Sequence, residues 1–163
     1  MWFGKRRLRA VVPALIADLT PQIEEAEGLL QVCQLENSPR ALTEAGIAVL
    51  FTAHKSVIAA TNKESVREAI LPQIHENFLS RFGPMASQCS IDEQGLLDLV
   101  ARRLTTYDSL MDRSLPHWQD RLAEELYENI SGKRADTAMF APLGIAFLTR
   151  LTATAEFVKK VLH

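Results

Sequence analysis

The feature that most constrains this sequence is the three-and-four spacing of its apolar residues. Between residues 91 and 113 five apolar side chains follow one another at steps of 3, 4, 3 and 4: Leu97, Val100, Leu104, Tyr107 and Met111. This spacing places them on one face of an α-helix. Stretches near 63 to 82 and 115 to 130 repeat the pattern at steps of four. Since no stretch sustains the alternation typical of a strand, the sequence predicts helices alone.

The predicted fold is an all-α, single-domain bundle of about six helices that covers residues 1–163. Two of the helices, near 39 to 60 and 137 to 161, are apolar nearly all round and are predicted to be central. The predicted helices run from 12 to 19 and onward with a kink to 35, then over 39–60, 63–81, 91–113, 116–131 and 137–161.

Cap-type residues and prolines predict where these helices begin and end. Pro72 interrupts the apolar series near 63 to 82, so it is expected to kink that helix or divide it. The predicted boundary signals are Thr20-Pro21 and Ser38-Pro39, capping boxes at Thr61–Glu64 and Ser90–Glu93, the cap Asp136, and the helix end Ser131-Gly132.

Composition and cysteine usage predict a cytoplasmic globular protein. In 163 residues, 47% are apolar and 23% are charged, which is typical of a soluble domain with its own core. Cys33 and Cys89 are too few and too far apart for a secreted disulfide framework. We interpret both as reduced thiols, although a single bridge between them stays open.

The first nine residues form a basic and aromatic segment. It contains two aromatic residues and four cations: Trp2, Phe3, Lys5, Arg6, Arg7 and Arg9. Four cations at one terminus are too few for a phosphate-neutralising face, so nucleic acid is not an expected partner. Two interpretations stay open: weak peripheral contact with a membrane or a partner, or aromatic rings folded back onto the domain with the cations solvated.

One set of residues has the types and spacing of metal ligands. His117, Asp120 and Glu124 lie at i, i+3 and i+7, which places an imidazole and two carboxylates on one helical face. Acidic residues in a first helical turn also suit the helix dipole, so an ordinary polar face explains the same pattern. No cofactor is expected from the sequence.

No metal site is expected at His54 or His75. His54 falls in register with Leu50 and Ile58, so we interpret it as a hydrogen-bonded core residue. His75 has no second histidine four residues away, so it lacks the spacing by which two histidines on one helical face bind zinc. Phosphate-binding loops and nucleophile elbows are also missing from the sequence.

The leading functional hypothesis is a non-catalytic helical module that engages another protein or a second copy of itself. It rests on the lack of catalytic motifs and the generous apolar content. A second hypothesis is a carrier or sensor of a small apolar ligand, and a third is a metal-dependent enzyme that uses the His117 set. The predicted ligand contacts line a cleft between the central helices: Gly46, Phe51, Phe140, Gly144 and Phe147.

Overall fold

The computed structural model describes the backbone of residues 2–135 and 137–163 and the side chains of residues 10–135 and 138–163. Within these residues the chain forms seven helices and no strand. The helices are α1 (Trp2–Leu19), α2 (Ile23–Val32), α3 (Pro39–Ala60), α4 (Glu64–Gln88), α5 (Glu93–Leu110), α6 (Trp118–Ser131) and α7 (Thr137–Leu162). The predicted all-α class and helical bundle are confirmed.

The kinked helix predicted over residues 12–35 is wrong, because the structure contains two helices there. α1 ends at Leu19, where the Thr20 hydroxyl donates to the Ile16 carbonyl at 2.7 Å. α2 is capped by Gln22, whose backbone N–H donates to the Glu25 carboxylate at 2.9 Å. Pro21 therefore precedes the cap instead of taking the first helical position that the Thr20-Pro21 signal predicted.

Pro72 does not divide α4, which runs unbroken through it. Both Pro72 and Glu68, the residue four positions earlier, are exposed. Water can therefore satisfy the Glu68 carbonyl that loses its helical hydrogen bond to the proline. The predicted apolar face is preserved through the proline and is buried along its length: Val66, Ile70, Ile74, Phe78 and Phe82.

Two of the predicted helix boundaries are confirmed. Ser38 caps α3, because its hydroxyl accepts a hydrogen bond from the Ala41 N–H at 3.1 Å. Gly132 ends α6 in the left-handed conformation, with φ of 71°, and its N–H donates to the Glu128 carbonyl. Asp136, the predicted cap of α7, lies outside the described residues.

Both predicted capping boxes are wrong. α5 is capped by Asp92, whose carboxylate accepts from the Gly95 N–H at 2.8 Å, while Ser90 lies in the preceding turn with φ of 61°. α4 is capped by Lys63, which makes no side-chain cap bond. The Thr61 hydroxyl accepts from the Lys63 N–H instead of reaching the helix.

α3 is the centre of the bundle and packs against α2, α4, α5, α6 and α7. The Phe51 ring stacks on Phe147 of α7, with centroids 6.1 Å apart, and meets the edge of Tyr107 of α5 at 5.6 Å. Phe78 and Phe82 of α4 stack on each other at 4.8 Å. The central position predicted for residues 39–60 is therefore confirmed.

α7 differs from α3, although their compositions are similar. By length and composition alone, Pro39–Ala60 and Ala138–Leu162 are each long and apolar enough to cross a membrane. Core helices of soluble proteins often meet the same two criteria. In α3, 83% of the residues in the most apolar window are buried, as in a core helix, but in α7 only 28% are. The prediction of a second central helix therefore holds for one face of α7 only.

Candidate functional site

The outward face of α7 is an apolar surface at helix-pairing spacing. Five uncharged, exposed residues follow one another at steps of 4, 3, 4 and 3: Ala138, Pro142, Ile145, Thr149 and Thr152. We call these five residues the outer stripe. Ile145, at its centre, keeps 69% of its surface exposed. Steps of three and four are the spacing at which one helix packs its side chains between those of another.

The opposite face of α7 fixes the helix to the bundle. Leu143, Phe147 and Val158 are buried on that face. A Cβ built at Gly144 would lie 2.6 Å from the Ala123 Cβ, so glycine is what allows α7 to approach α6 this closely. Arg150, the single charged residue between positions 138 and 155, pairs with Glu25 of α2 at 2.6 Å. The outer stripe is therefore presented by a firmly attached helix.

The five residues predicted to line a ligand cleft lie mainly in packed contacts. Gly46 and Gly144 stand where neighbouring side chains leave no room for a Cβ. Phe51 and Phe147 are brought together, but as a stacked pair inside the core. Phe140 is buried as well. Of the five, Phe51 alone borders the groove between α3, α4 and α5 described below.

The predicted metal set stays on the surface. His117 Nδ1 and Asp120 Oδ2 are 3.7 Å apart, and both side chains are largely exposed. His117 is the left-handed residue before α6, with φ of 57°. In the part of the chain that the structure describes, no three His, Cys, Asp or Glu side chains, Glu124 included, gather into a group that could hold a metal ion.

The basic and aromatic segment belongs to the beginning of α1 in the backbone. Its six predicted contact side chains lie outside the described residues, so membrane or partner contact through them stays a prediction: Trp2, Phe3, Lys5, Arg6, Arg7 and Arg9. Cys33 and Cys89 are free thiols, and burial raises the pKa of Cys33.

A groove of about 720 Å³ runs between α3, α4 and α5. Its apolar walls include Phe51 of α3 and Leu104 of α5. Its titratable side chains come from all three helices: His54 and Lys55 of α3, His75 of α4, and Asp108 of α5. Lys55 and Asp108 form an ion pair on the rim.

The two histidines in this groove touch each other. His54 Nδ1 and His75 Nε2 are 3.0 Å apart, and the ring centroids are 5.2 Å apart with an angle of 62° between the planes. Burial lowers the pKa of His75 to about 4, with the neighbouring His54 as a smaller cause. Burial also lowers the pKa of His54, against the opposing pull of Asp108. Both rings are therefore neutral at pH 7.

The chain matches no protein-family model, no curated protein and no solved structure. Two features stand out in its geometry: the outer stripe of α7 and the paired histidines of the groove. Sequence reasoning missed both, because it placed α7 in the bundle centre and considered His54 and His75 separately.

Proposed function

We propose that this protein is a non-catalytic helical module that pairs with a second copy of itself through the outer stripe of α7. The observation that carries the proposal is the contrast between the two apolar helices: 83% of the most apolar window of α3 is buried, but only 28% of that of α7. An apolar helical face of this length left in water costs free energy, and a second chain that covers it recovers about 25 cal/mol for each Å² of apolar surface removed from water.

The chemistry of the outer stripe favours a second copy as the partner. No formal charge lies between positions 138 and 149, so the stripe offers nothing by which a charged partner would be selected. A stripe without charge can meet its own copy without like-charge repulsion, and a two-fold contact buries the same surface on both chains. The small side chains of Ala138, Thr149 and Thr152 allow two helices to come close on either side of Ile145.

The test is sedimentation velocity of the full chain over a wide range of concentrations. We expect the wild-type chain to shift from monomer to dimer as its concentration rises. Ile145→Asp should weaken the association at least about tenfold, because it places an unpaired carboxylate at the centre of the contact. Leu97→Asp is the matched control, because Leu97 is an exposed apolar residue on α5 and outside the outer stripe.

Two outcomes would contradict the proposal: a wild-type chain that stays monomeric at every concentration, or equal weakening by Ile145→Asp and Leu97→Asp. Vesicle co-sedimentation distinguishes self-pairing from binding of the outer stripe to a membrane surface. A monomer that binds lipid vesicles, and loses that binding with Ile145→Asp, would assign the outer stripe to a membrane surface and overturn self-pairing.

A further inference from the structure

The His54–His75 pair is the most distinctive chemical feature outside α7. The two imidazoles come from different helices, α3 and α4, and both side chains line the groove next to α5. The contact between His54 Nδ1 and His75 Nε2 is the single hydrogen bond of either ring among the described residues. In that bond one of the facing nitrogens carries a proton and the other accepts it.

We propose that His54 and His75 together bind one divalent transition-metal ion of the zinc and copper class, with water completing its coordination shell. Neutral imidazole nitrogens are the ligands that these ions prefer, whereas calcium and magnesium prefer oxygen. The two facing nitrogens lie 3.0 Å apart. A tetrahedral ion with Zn–N bonds of about 2.0–2.1 Å holds two nitrogens roughly 3.3 Å apart. The nitrogens therefore need to separate only slightly, but each ring must turn by roughly 35° so that its lone pair points at the ion, which lies off the line between the nitrogens.

Binding requires no net loss of protons from the pair. Each neutral ring carries one proton, and in the metal-bound state each carries it on the nitrogen that points away from the partner ring, His54 Nε2 and His75 Nδ1. Both facing nitrogens then offer a lone pair to the ion. The change is a shift of one ring to its other tautomer, with the hydrogen bond between the rings replaced by two metal–nitrogen bonds.

The charged residues on the rim of the groove affect its affinity for the metal ion. Since no third His, Cys, Asp or Glu completes a metal-binding group within the described residues, two protein ligands hold the ion and the affinity is moderate. Asp108 lines the same groove but is engaged by Lys55. Lys55→Met removes a positive charge beside the ion and releases the Asp108 carboxylate, so this variant should bind the metal more tightly.

The test uses the untagged full chain and Zn²⁺ in isothermal titration calorimetry. We expect one Zn²⁺ per chain, at least about tenfold weaker binding for His54→Asn and for His75→Asn, and tighter binding for Lys55→Met. His117→Ala is the matched control, because His117 is a largely exposed histidine that does not line the groove. Its affinity should equal that of the wild-type chain. Circular dichroism verifies that each variant stays helical.

Three results for the wild-type chain and the histidine variants would overturn the proposal. They are no zinc uptake by the wild-type chain, uptake that both groove variants retain, and uptake that His117→Ala abolishes. If a histidine variant fails to fold, Lys55→Met still tests the site. Lys55 is partly exposed and outside the core, so its replacement should leave the fold intact. Zinc affinity that Lys55→Met leaves unchanged also contradicts the site. The site does not depend on pairing through α7, because no α7 residue lines this groove.

Discussion

Replacing Arg103 by methionine is expected to lower the free energy of unfolding by about 3–5 kcal/mol. Arg103 of α5 donates from Nε to Glu44 Oε2 at 3.0 Å and from Nη2 to Glu44 Oε1 at 2.7 Å. Glu44 lies on the central helix and is only 4% exposed. Arg103→Met would leave the Glu44 carboxylate buried without its partner. An unpaired buried charge costs more free energy than the loss of the whole pair.

Urea unfolding of a double-mutant cycle measures this effect. Because methionine fills space without needing a charge partner, Glu44→Met combined with Arg103→Met should recover much of the loss. Lys55→Met is the control, since Lys55 and Asp108 also join α3 to α5 but keep 32% and 56% of their side-chain surface exposed, and this variant should cost at most about 1 kcal/mol. Equal losses from Arg103→Met and Lys55→Met would contradict the buried-pair interpretation.

Gly46→Ala and Gly28→Ala should have effects of opposite sign. A Cβ at Gly46 would lie 2.6 Å from Cδ1 of Phe82, a ring that is fully buried and stacked on Phe78. We expect this overpacking to cost about 1–3 kcal/mol. Gly28 lies within α2 with nothing within 4 Å of its Cβ position, so alanine there should stabilise the helix by roughly 0.5–1 kcal/mol.

Thermal and urea unfolding of the two glycine variants side by side provide the measurement. Both substitutions add the same methyl group to a helix interior, so the difference between them isolates the contact between α3 and α4. A Gly46→Ala variant as stable as the wild-type chain would show free space at this crossing. That result would reopen the cleft that the sequence predicted between the central helices.

The parts of the fold that the sequence predicted correctly depend on local information. The apolar series from Val66 to Phe82 identifies the buried face of α4, because a helix repeats its faces within four residues. Ser38 and Gly132 act on backbone groups in their own turn, so their roles are readable from neighbouring residues. The cap of α5 was missed because Ser90 and Asp92 are competing acceptors two residues apart, and the turn geometry selects Asp92.

The candidate sites depend on tertiary packing, which the spacing of residues does not contain. His54 and His75 are 21 residues apart, and they meet because Gly46 and Phe82 set the register of α3 against α4. For α7, a helix that is apolar nearly all round gives no sign of which face the bundle covers. The outer stripe can be identified only from the three-dimensional structure, which shows that the face of α7 with Phe147 at its middle is the buried one.

Self-pairing through the outer stripe is tested most directly by disulfide trapping at its centre. A cysteine is introduced by Ile145→Cys into a chain whose own thiols are removed by Cys33→Ser and Cys89→Ser. In a two-fold pair along the stripe, position 145 faces its own copy within the roughly 7 Å Cα separation that a disulfide tolerates. We expect a covalent dimer on mild oxidation for Ile145→Cys and none for Leu97→Cys in the same background. A chain with Ile145→Cys that stays monomeric, or that cross-links no faster than the one with Leu97→Cys, would contradict the proposed pairing.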